Sequence, residues 1–494
     1  MTAEADRSPP PDAAPAVPAP RLGLVYAVLV AATIAPLAKW PIPPSFDLVN
    51  HWARLTLYHM PPGDPLAALY QVKLAPIPDL AIDLAGFALA PILTPYGVIA
   101  LAWAAAIALP AWGAWLVGKA VHGAPQPAVL FVPALAYNLV VTLGLLNFAI
   151  GMGLALIAFA ASLTIDRRRI WFRLALFNLV SAALFFCHVA AFLAFALLIV
   201  FFESPRRGGE SARAVIGRVS LAFGCLLAGA VLVVFAPPID SRLSGPGSKL
   251  AALAAPMYDW SAAAGVFATL ALVILVAAGL LTRRVAFAPT MVRPLGFLAL
   301  IVAFAPSAHG AADFIDARLA VLLAYLVFAS LSGPRGTAAK GWTIALAVVA
   351  VAARVGFAAP HWAEYDGWTA EFRAAIRAVP PGARVLAVAP PGGRCPALDD
   401  ADFYRGLVNF LVIDRRALAS TLFTGRGMQP VQAADPRLAD TPWTPPHPEW
   451  LATHDWRALY DTLIALHVDC DWRPDEAGLI RVAETPQATI YRLR

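Results

Sequence analysis

Apolar residues dominate the chain in long blocks, separated by short polar or basic turns, from residue 22 to about residue 357. A helix that crosses a bilayer needs ~20 mostly apolar residues. Read in a window of ~19 residues, the blocks fall near 22–38, 79–95, 97–117, 127–145, 146–164, 172–202, 218–236, 261–281, 294–308, 318–332 and 341–358. The block 172–202 is long for one span and short for two, and Phe186-Cys187-His188 at its middle suits a tight break. Tyr137-Asn138 and Gly144-x-x-Asn147 place polar residues and glycine at membrane depth. Such residues are tolerated where protein or a cavity covers them, so a broken or short helix is expected there. The pattern predicts an all-α polytopic membrane bundle of 11 or 12 transmembrane helices.

Two regions depart from this pattern. Residues 1–21 are rich in proline and alanine and are expected to be a disordered tail. From about 359 to 494 the long blocks stop, and a small C-terminal α/β soluble domain is expected. Trp368–Val379 reads as a helix and Ala383–Val388 as a strand. Tyr404–Val412 and Trp456–Leu466 read as a helix or strand pair, and Ala488–Leu493 as a final strand. The bundle then occupies 22–358, with a first polar loop at 39–78. Within that loop Phe46–Met60 can form an amphipathic helix lying on the membrane surface, with Leu48, Trp52 and Leu55 on one face.

Composition and charge agree. Sixty per cent of residues are hydrophobic and 14% are charged, against about 25% charged in a soluble protein. The net charge of +6 rests mainly on arginines in short clusters, so it points away from nucleic acid and toward the positive-inside pattern. Asp166–Arg169, Pro205–Arg218, Arg283–Arg293 and Arg335–Lys340 are placed in the cytoplasm. The loop 39–78 and the C-terminal domain then face outward, and the expected location is a bacterial inner membrane. One parity conflict remains, because Asp166–Arg169 falls outside unless a run between 79 and 164 is re-entrant or split. Cys395 and Cys470 can pair only in an oxidising compartment.

Several residues could carry chemistry. Asp47 follows the first span closely and can act as a general base for a hydroxyl, or merely cap a short helix. His51 lies one turn on and can tune it. Lys73, in Tyr70-Gln71-Val72-Lys73, can meet a lipid phosphate or snorkel to ordinary headgroups. Asp79 and Asp83 share a helix face and can bind a sugar hydroxyl or a cation, although Asp79 also suits an N-cap. Arg318 can grip a phosphate or pair with Asp313 and Asp316. His188 reads as an interior histidine. Gly245–Lys249 is a faint phosphate loop without the strand that such a loop needs. Six of the fourteen tryptophans follow residue 360, where they can stack on sugars, pack a core or anchor an interface. No cluster has metal-ligand spacing; no cofactor is expected, and a divalent metal is left open.

Asp47 just after the first span, then Tyr70, Lys73, Pro76 and Pro78 before the second, then Gly97, many further spans and an outward domain: this order resembles the GT-C class of membrane glycosyltransferases, which includes the protein O-mannosyltransferases and the lipid A aminoarabinose transferases. The resemblance implies a polyprenyl-phosphate sugar donor and an inverting transfer to an envelope acceptor on the outer face. It implies Asp47 as base, with His51 beside it, and Lys73 and Arg318 as phosphate ligands. Tyr70, Asp79 and Asp83 join them as candidate substrate contacts. The first loop carries Asp47 with His51 where the class usually has an acidic pair, and Lys73 is followed by Leu-Ala-Pro. The chain also resembles a group of bacterial membrane proteins with D-x-x-N-H, A-Y-N, G-x-x-N-F and F-F-x-H segments, here Asp47–His51, Ala136–Asn138, Gly144–Phe148 and Phe185–His188. That likeness names no activity. The alternative reading is a transporter or flippase for a lipid-linked or small polar substrate, built around broken helices.

Overall fold

A computed structural model describes residues 19–494 apart from 206–208, 237–240, 243–248, 250–251, 259, 310–311, 334–336, 390–404, 425–428, 443, 467–473 and 475–477. Cys395, Cys470 and most of Gly245–Lys249 therefore lie outside the described residues. The chain is mostly helical, with a small sheet region toward its C-terminus.

The helices are α1 (Ala19–Ile34), α2 (Leu48–Tyr58), α3 (Ala81–Leu89), α4 (Pro95–His122), α5 (Leu139–Thr142), α6 (Leu146–Thr164), α7 (Ile170–Cys187) and α8 (Val189–Glu203). They continue with α9 (Ala212–Gly224), α10 (Leu227–Phe235), α11 (Ala262–Leu281), α12 (Pro289–Phe304), α13 (Ile315–Ser330) and α14 (Thr337–Ala375). Among the described residues, five of these, α4, α6, α7, α11 and α14, are long and apolar enough to cross a membrane. The pair α9 and α10, bent by 52°, makes a sixth if it counts as one span. The shorter apolar helices are Leu22–Ala38, Pro127–Thr142, Val189–Glu203 and Pro289–Phe304.

Three breaks shape the bundle. The block 172–202 divides at His188, as its sequence suggested, and His188 Nδ1 accepts from Ala190 N–H to start α8. The stretch 127–145 is a 3-10 helix, Pro127–Leu135, followed by the four-residue α5, which Asn138 caps by accepting from Val140 and Val141 N–H. The block 79–95, read as a span, holds only the nine-residue α3. Thr94 ends that block by accepting from Gly97 N–H, and Pro95 opens α4.

α4 and α6 run side by side in the same direction. A Cβ on Gly113 would meet Leu156, and one on Gly153 would meet Leu109 at 2.5 Å, so the two backbones touch through glycine. Their last turns therefore share one end of the bundle. There Arg167 and Arg218 converge on Glu203, and Gly333 N–H donates to Gln126. The opposite end carries α2, α3, the His188 break and the start of α13.

The C-terminal region begins within α14, which runs unbroken through Pro360 for 39 residues, so no separate helix starts at Trp368. Strands β5 (Arg384–Val388), β6 (Leu418–Ala419), β8 (Thr462–Leu466), β9 (Leu479–Glu484) and β10 (Ala488–Leu493) form one sheet in the order β6-β5-β8-β10-β9. β5 pairs in parallel with β6 and β8, and β10 antiparallel with β8 and β9. The helices α15 (Phe410–Arg415) and α16 (Glu449–Thr453) fall between β5 and β8 along the chain. The short strands β2 (Ser241–Arg242), β3 (Ala308–His309) and β4 (Ala312–Asp313) form a separate sheet. Strand β1 (Tyr70–Val72), from the first polar loop, pairs antiparallel with β7 (Val431–Ala433).

That pairing changes the status of α2. An amphipathic helix on an open surface keeps one face in water. Here nine of eleven residues of α2 are buried, among them Asn50, His51 and Arg54. The C-terminal region covers its polar face. Trp52 packs on Phe410 and on Tyr96, and Phe423 N–H donates to Asn50 Oδ1 at 3.1 Å.

Candidate functional site

The seam between α2, the bundle and the C-terminal region is built from backbone constraints first. Phe46 and Asp47 N–H groups donate to the Thr142 and Leu143 carbonyls, which fixes the entry to α2 on the α5–α6 break. Gly144 occupies that break at φ +78°, and a Cβ there would meet Asp47 N at 2.7 Å. From the other side Gly406 approaches so closely that a Cβ would meet Phe46 O at 2.4 Å. Only glycine permits both contacts, and together they hold Asp47 in place.

Asp47 is 8% exposed, and its Oδ1 has no hydrogen-bond partner among the described residues. Burial and the neighbouring Asp79 carboxylate push its pKa up to about 8, against the pull of the Arg318 and Arg54 charges. At neutral pH much of it carries a proton. His51 is pushed down to about 3 by burial and by the Arg54 charge, so it stays neutral. It stands beside the Gly144 backbone, and its Nδ1 has no hydrogen-bond partner among the described residues.

Arg54 anchors the floor of the site. Its Nε donates to Asp83 Oδ1 at 3.1 Å, its Nη2 closes the second limb of a bidentate pair with Asp83, and its Nη1 donates to Gln429 at 3.1 Å. Tyr58 donates to the same carboxylate at 2.6 Å. Asp83 is thus a structural partner for Arg54 rather than an open sugar or cation ligand.

Asp79 does not cap α3, whose N-cap is Leu80. It takes φ +68°, and its carbonyl accepts from Asn147 Nδ2 at 2.8 Å, while Asn147 Oδ1 accepts from Ile82 N–H. Burial pushes the Asp79 carboxyl up to about 6 against the Arg54 and Arg318 charges. Arg318, 4% exposed, is not paired with Asp316, which instead binds Lys249 at 2.8 Å. Its Nη1 lies 2.8 Å from His188 Nε2, and its guanidinium covers the Phe148 ring. Five of the candidates picked out in the sequence, Asp47, His51, Asp79, Asp83 and Arg318, belong to one cluster, in which only Asp79 is half-buried rather than buried.

Tyr70 and Lys73 do not join it. The Tyr70 hydroxyl accepts from Ala419 N–H at 2.9 Å and so fastens β1 to the C-terminal sheet. Lys73 follows β1 with an exposed side chain, its N–H donating to Pro430 O. The residues that sequence reasoning passed over are Arg54, Asn50 and Asn147. Arg54 had a usable signal: it stands seven residues after Asp47 and three after His51, on the same helical face. Among the described residues no three His, Cys, Asp or Glu side chains are grouped to hold a metal ion.

No protein-family model matches the chain, and no curated protein matches it as a relative.

Proposed function

We propose that the chain is a multi-pass membrane glycosyltransferase of GT-C type that moves a sugar from a polyprenyl-phosphate donor to an envelope acceptor on the outer face. The observation that supports it most is Asp47: a buried carboxylate with an open oxygen, flanked by Arg54 and Arg318, at the end of the bundle away from the basic turns. In the proposed reaction Asp47, when ionised, takes the proton of an acceptor hydroxyl. The hydroxyl oxygen attacks the anomeric carbon, the bond from that carbon to the phosphate oxygen breaks, and polyprenyl phosphate leaves. Arg318 supplies positive charge where the phosphate gathers charge. Arg54 holds α3 and α2 together beneath it. The exposed Lys73 is assigned to headgroup phosphates at the rim.

The topology in this proposal has eleven passes: α1, α4, Pro127–Thr142, α6, α7, α8, α9 with α10, α11, α12, α13 and α14. The nine-residue α3 stays on the outer side, which removes the parity conflict. Asp166–Arg169 then lies in the cytoplasm and the C-terminal domain outside.

The breaks at Gly144, His188 and the α9–α10 bend also favour a second reading, a transporter of a lipid-linked substrate. A transfer assay separates the two. Membranes holding wild type or Asp47→Asn receive a panel of radiolabelled polyprenyl-phosphate sugars, normalised to protein level. The transferase reading expects label in the envelope fraction, and a fall of about 10²- to 10⁴-fold in Asp47→Asn. Equal transfer by both would remove it, and substrate uptake without transfer would favour the transporter.

A further inference from the structure

The end of α14 and the end of α15 border an open groove of about 470 Å³. Ala370, Arg373, Ala374, Arg377, Asp414 and Arg415 line it. The first four share one helical face, which α14 begins and the 3-10 turn Ile376–Ala378 continues. The two alanines are exposed and add little bulk, so the groove stays open between the arginines of the two elements.

Part of this charge serves the protein. Arg373 Nε and Nη2 donate to Asp414 at 2.6 and 2.8 Å, and Arg415 Nε donates to Val379 O at 2.7 Å. Arg377 stands in the last turn, where a cation suits the helix dipole. These duties use only some of the donors. Among the described residues, no hydrogen bond or ion pair engages Arg377, Arg373 Nη1 or the Nη groups of Arg415. Three arginines against one aspartate leave the lining with a net charge of +2. Arg373 and Arg377 also stand one turn apart on the same face, where like charges repel.

The lining sets the chemistry of an occupant. A cation is repelled. An apolar group finds only two methyl groups, and a neutral sugar finds no aromatic face among the lining residues. Guanidinium forks match the oxygens of carboxylate and phosphate, and a dianion balances the charge. Membrane phosphates do not reach the groove. The apolar block of α14 ends near residue 358, and Arg373 lies fifteen residues further along an unbroken helix. At ~1.5 Å per residue that is roughly 20 Å, against a headgroup layer of about 5–8 Å. We infer that this groove binds a dianionic oxyanion, a phosphate monoester or a dicarboxylate, carried by a molecule in the water phase and bridging α14 to α15. The inference needs α14 to cross the membrane and does not depend on the transferase reading.

The test uses the full chain in phosphatidylcholine nanodiscs, titrated with glycerol 3-phosphate or succinate against chloride at fixed ionic strength. The readout is the midpoint of thermal unfolding, because a ligand that binds only the folded chain raises it with occupancy. Wild type should show a saturable rise with at least one dianion, and the tighter of the two names the class. Arg377→Gln breaks no contact among the described residues and should weaken that binding about ten- to a hundredfold. Arg481→Gln makes the same charge change on β9 and should bind as wild type does. No saturable rise with either dianion, or equal weakening in the two variants, overturns the inference. Complete loss of the rise in phosphatidylglycerol nanodiscs at the same ionic strength would give the groove to lipid and overturn it as well.

Discussion

Glu203 and Asp47 are both buried carboxylates, at opposite ends of the bundle. Glu203 accepts from Arg167 Nη2 at 3.0 Å and Nε at 3.3 Å, and faces Arg218 Nε at 3.2 Å. Arg218 also donates to the Glu203 and Pro205 carbonyls. That network ties the turn after α6 to the end of α8 and the middle of α9, and both oxygens of the Glu203 carboxylate face arginine. Asp47 is also hidden from solvent, yet among the described residues one oxygen has no partner and the nearest cations serve other groups: Arg54 is spent on Asp83, and Arg318 lies on His188. Burial of charge is common to both sites and so does not separate them. What separates them is whether the carboxylate's hydrogen-bonding capacity is used up by the protein.

This contrast can be broken most forcefully at Arg54. Arg54→Ala leaves Asp83 buried without its cation and should destabilise the fold by about 3–5 kcal/mol. The readout is the midpoint of thermal unfolding in detergent. A loss under about 1 kcal/mol would mean that the Asp83 pair is not structural. Glu203→Gln should cost less, about 1–2 kcal/mol, because Arg167 is partly exposed and water can replace the lost carboxylate. If it costs as much as Arg54→Ala, the two ends do not differ as described.

Asp47→Asn should have the smallest effect on stability, and of opposite sign. The folded pKa of Asp47, about 8, lies above the unfolded 3.8. The folded state therefore binds more protons than the unfolded one between those values, and this group's contribution to stability falls as pH rises through that window. Asparagine removes the dependence. The variant should melt at or above the wild-type temperature at pH 8, with a smaller gain at pH 5. A variant that melts well below wild type at pH 8 would show that the carboxylate is a structural partner after all.

Local pattern revealed the parts that local physics sets. The break at His188 lies at the middle of an apolar run of unsuitable length, and the irregular stretch before Gly144 carries polar residues where a plain span would not. The alternation of apolar and basic segments gave the bundle its general class. The capping of α4 by Thr94 was also written in the sequence, but a broad hydropathy window averages across a single cap, and α3 was read as a full span. The cover over α2 was not legible in this way. It depends on β1 meeting β7 and on Tyr70 meeting Ala419, contacts more than 340 residues apart in the chain. Without that cover Arg54 and Asn50 read as the wet face of a surface helix. For the same reason Tyr70 read as a ligand, when its hydroxyl fastens the seam. Asp47 was legible because its position after the first span is local; its unpartnered oxygen was not, because it depends on what the C-terminal region fails to supply.

The central claim is that Asp47 is held without its full set of partners and ionises near the pH at which it would have to act. Infrared difference spectra of wild type minus Asp47→Asn, recorded across a pH titration in lipid, observe that carboxyl directly. The protonated carboxyl band should be present at pH 6 and disappear with a midpoint near 8. A carboxylate already fully ionised at pH 6 would contradict the account.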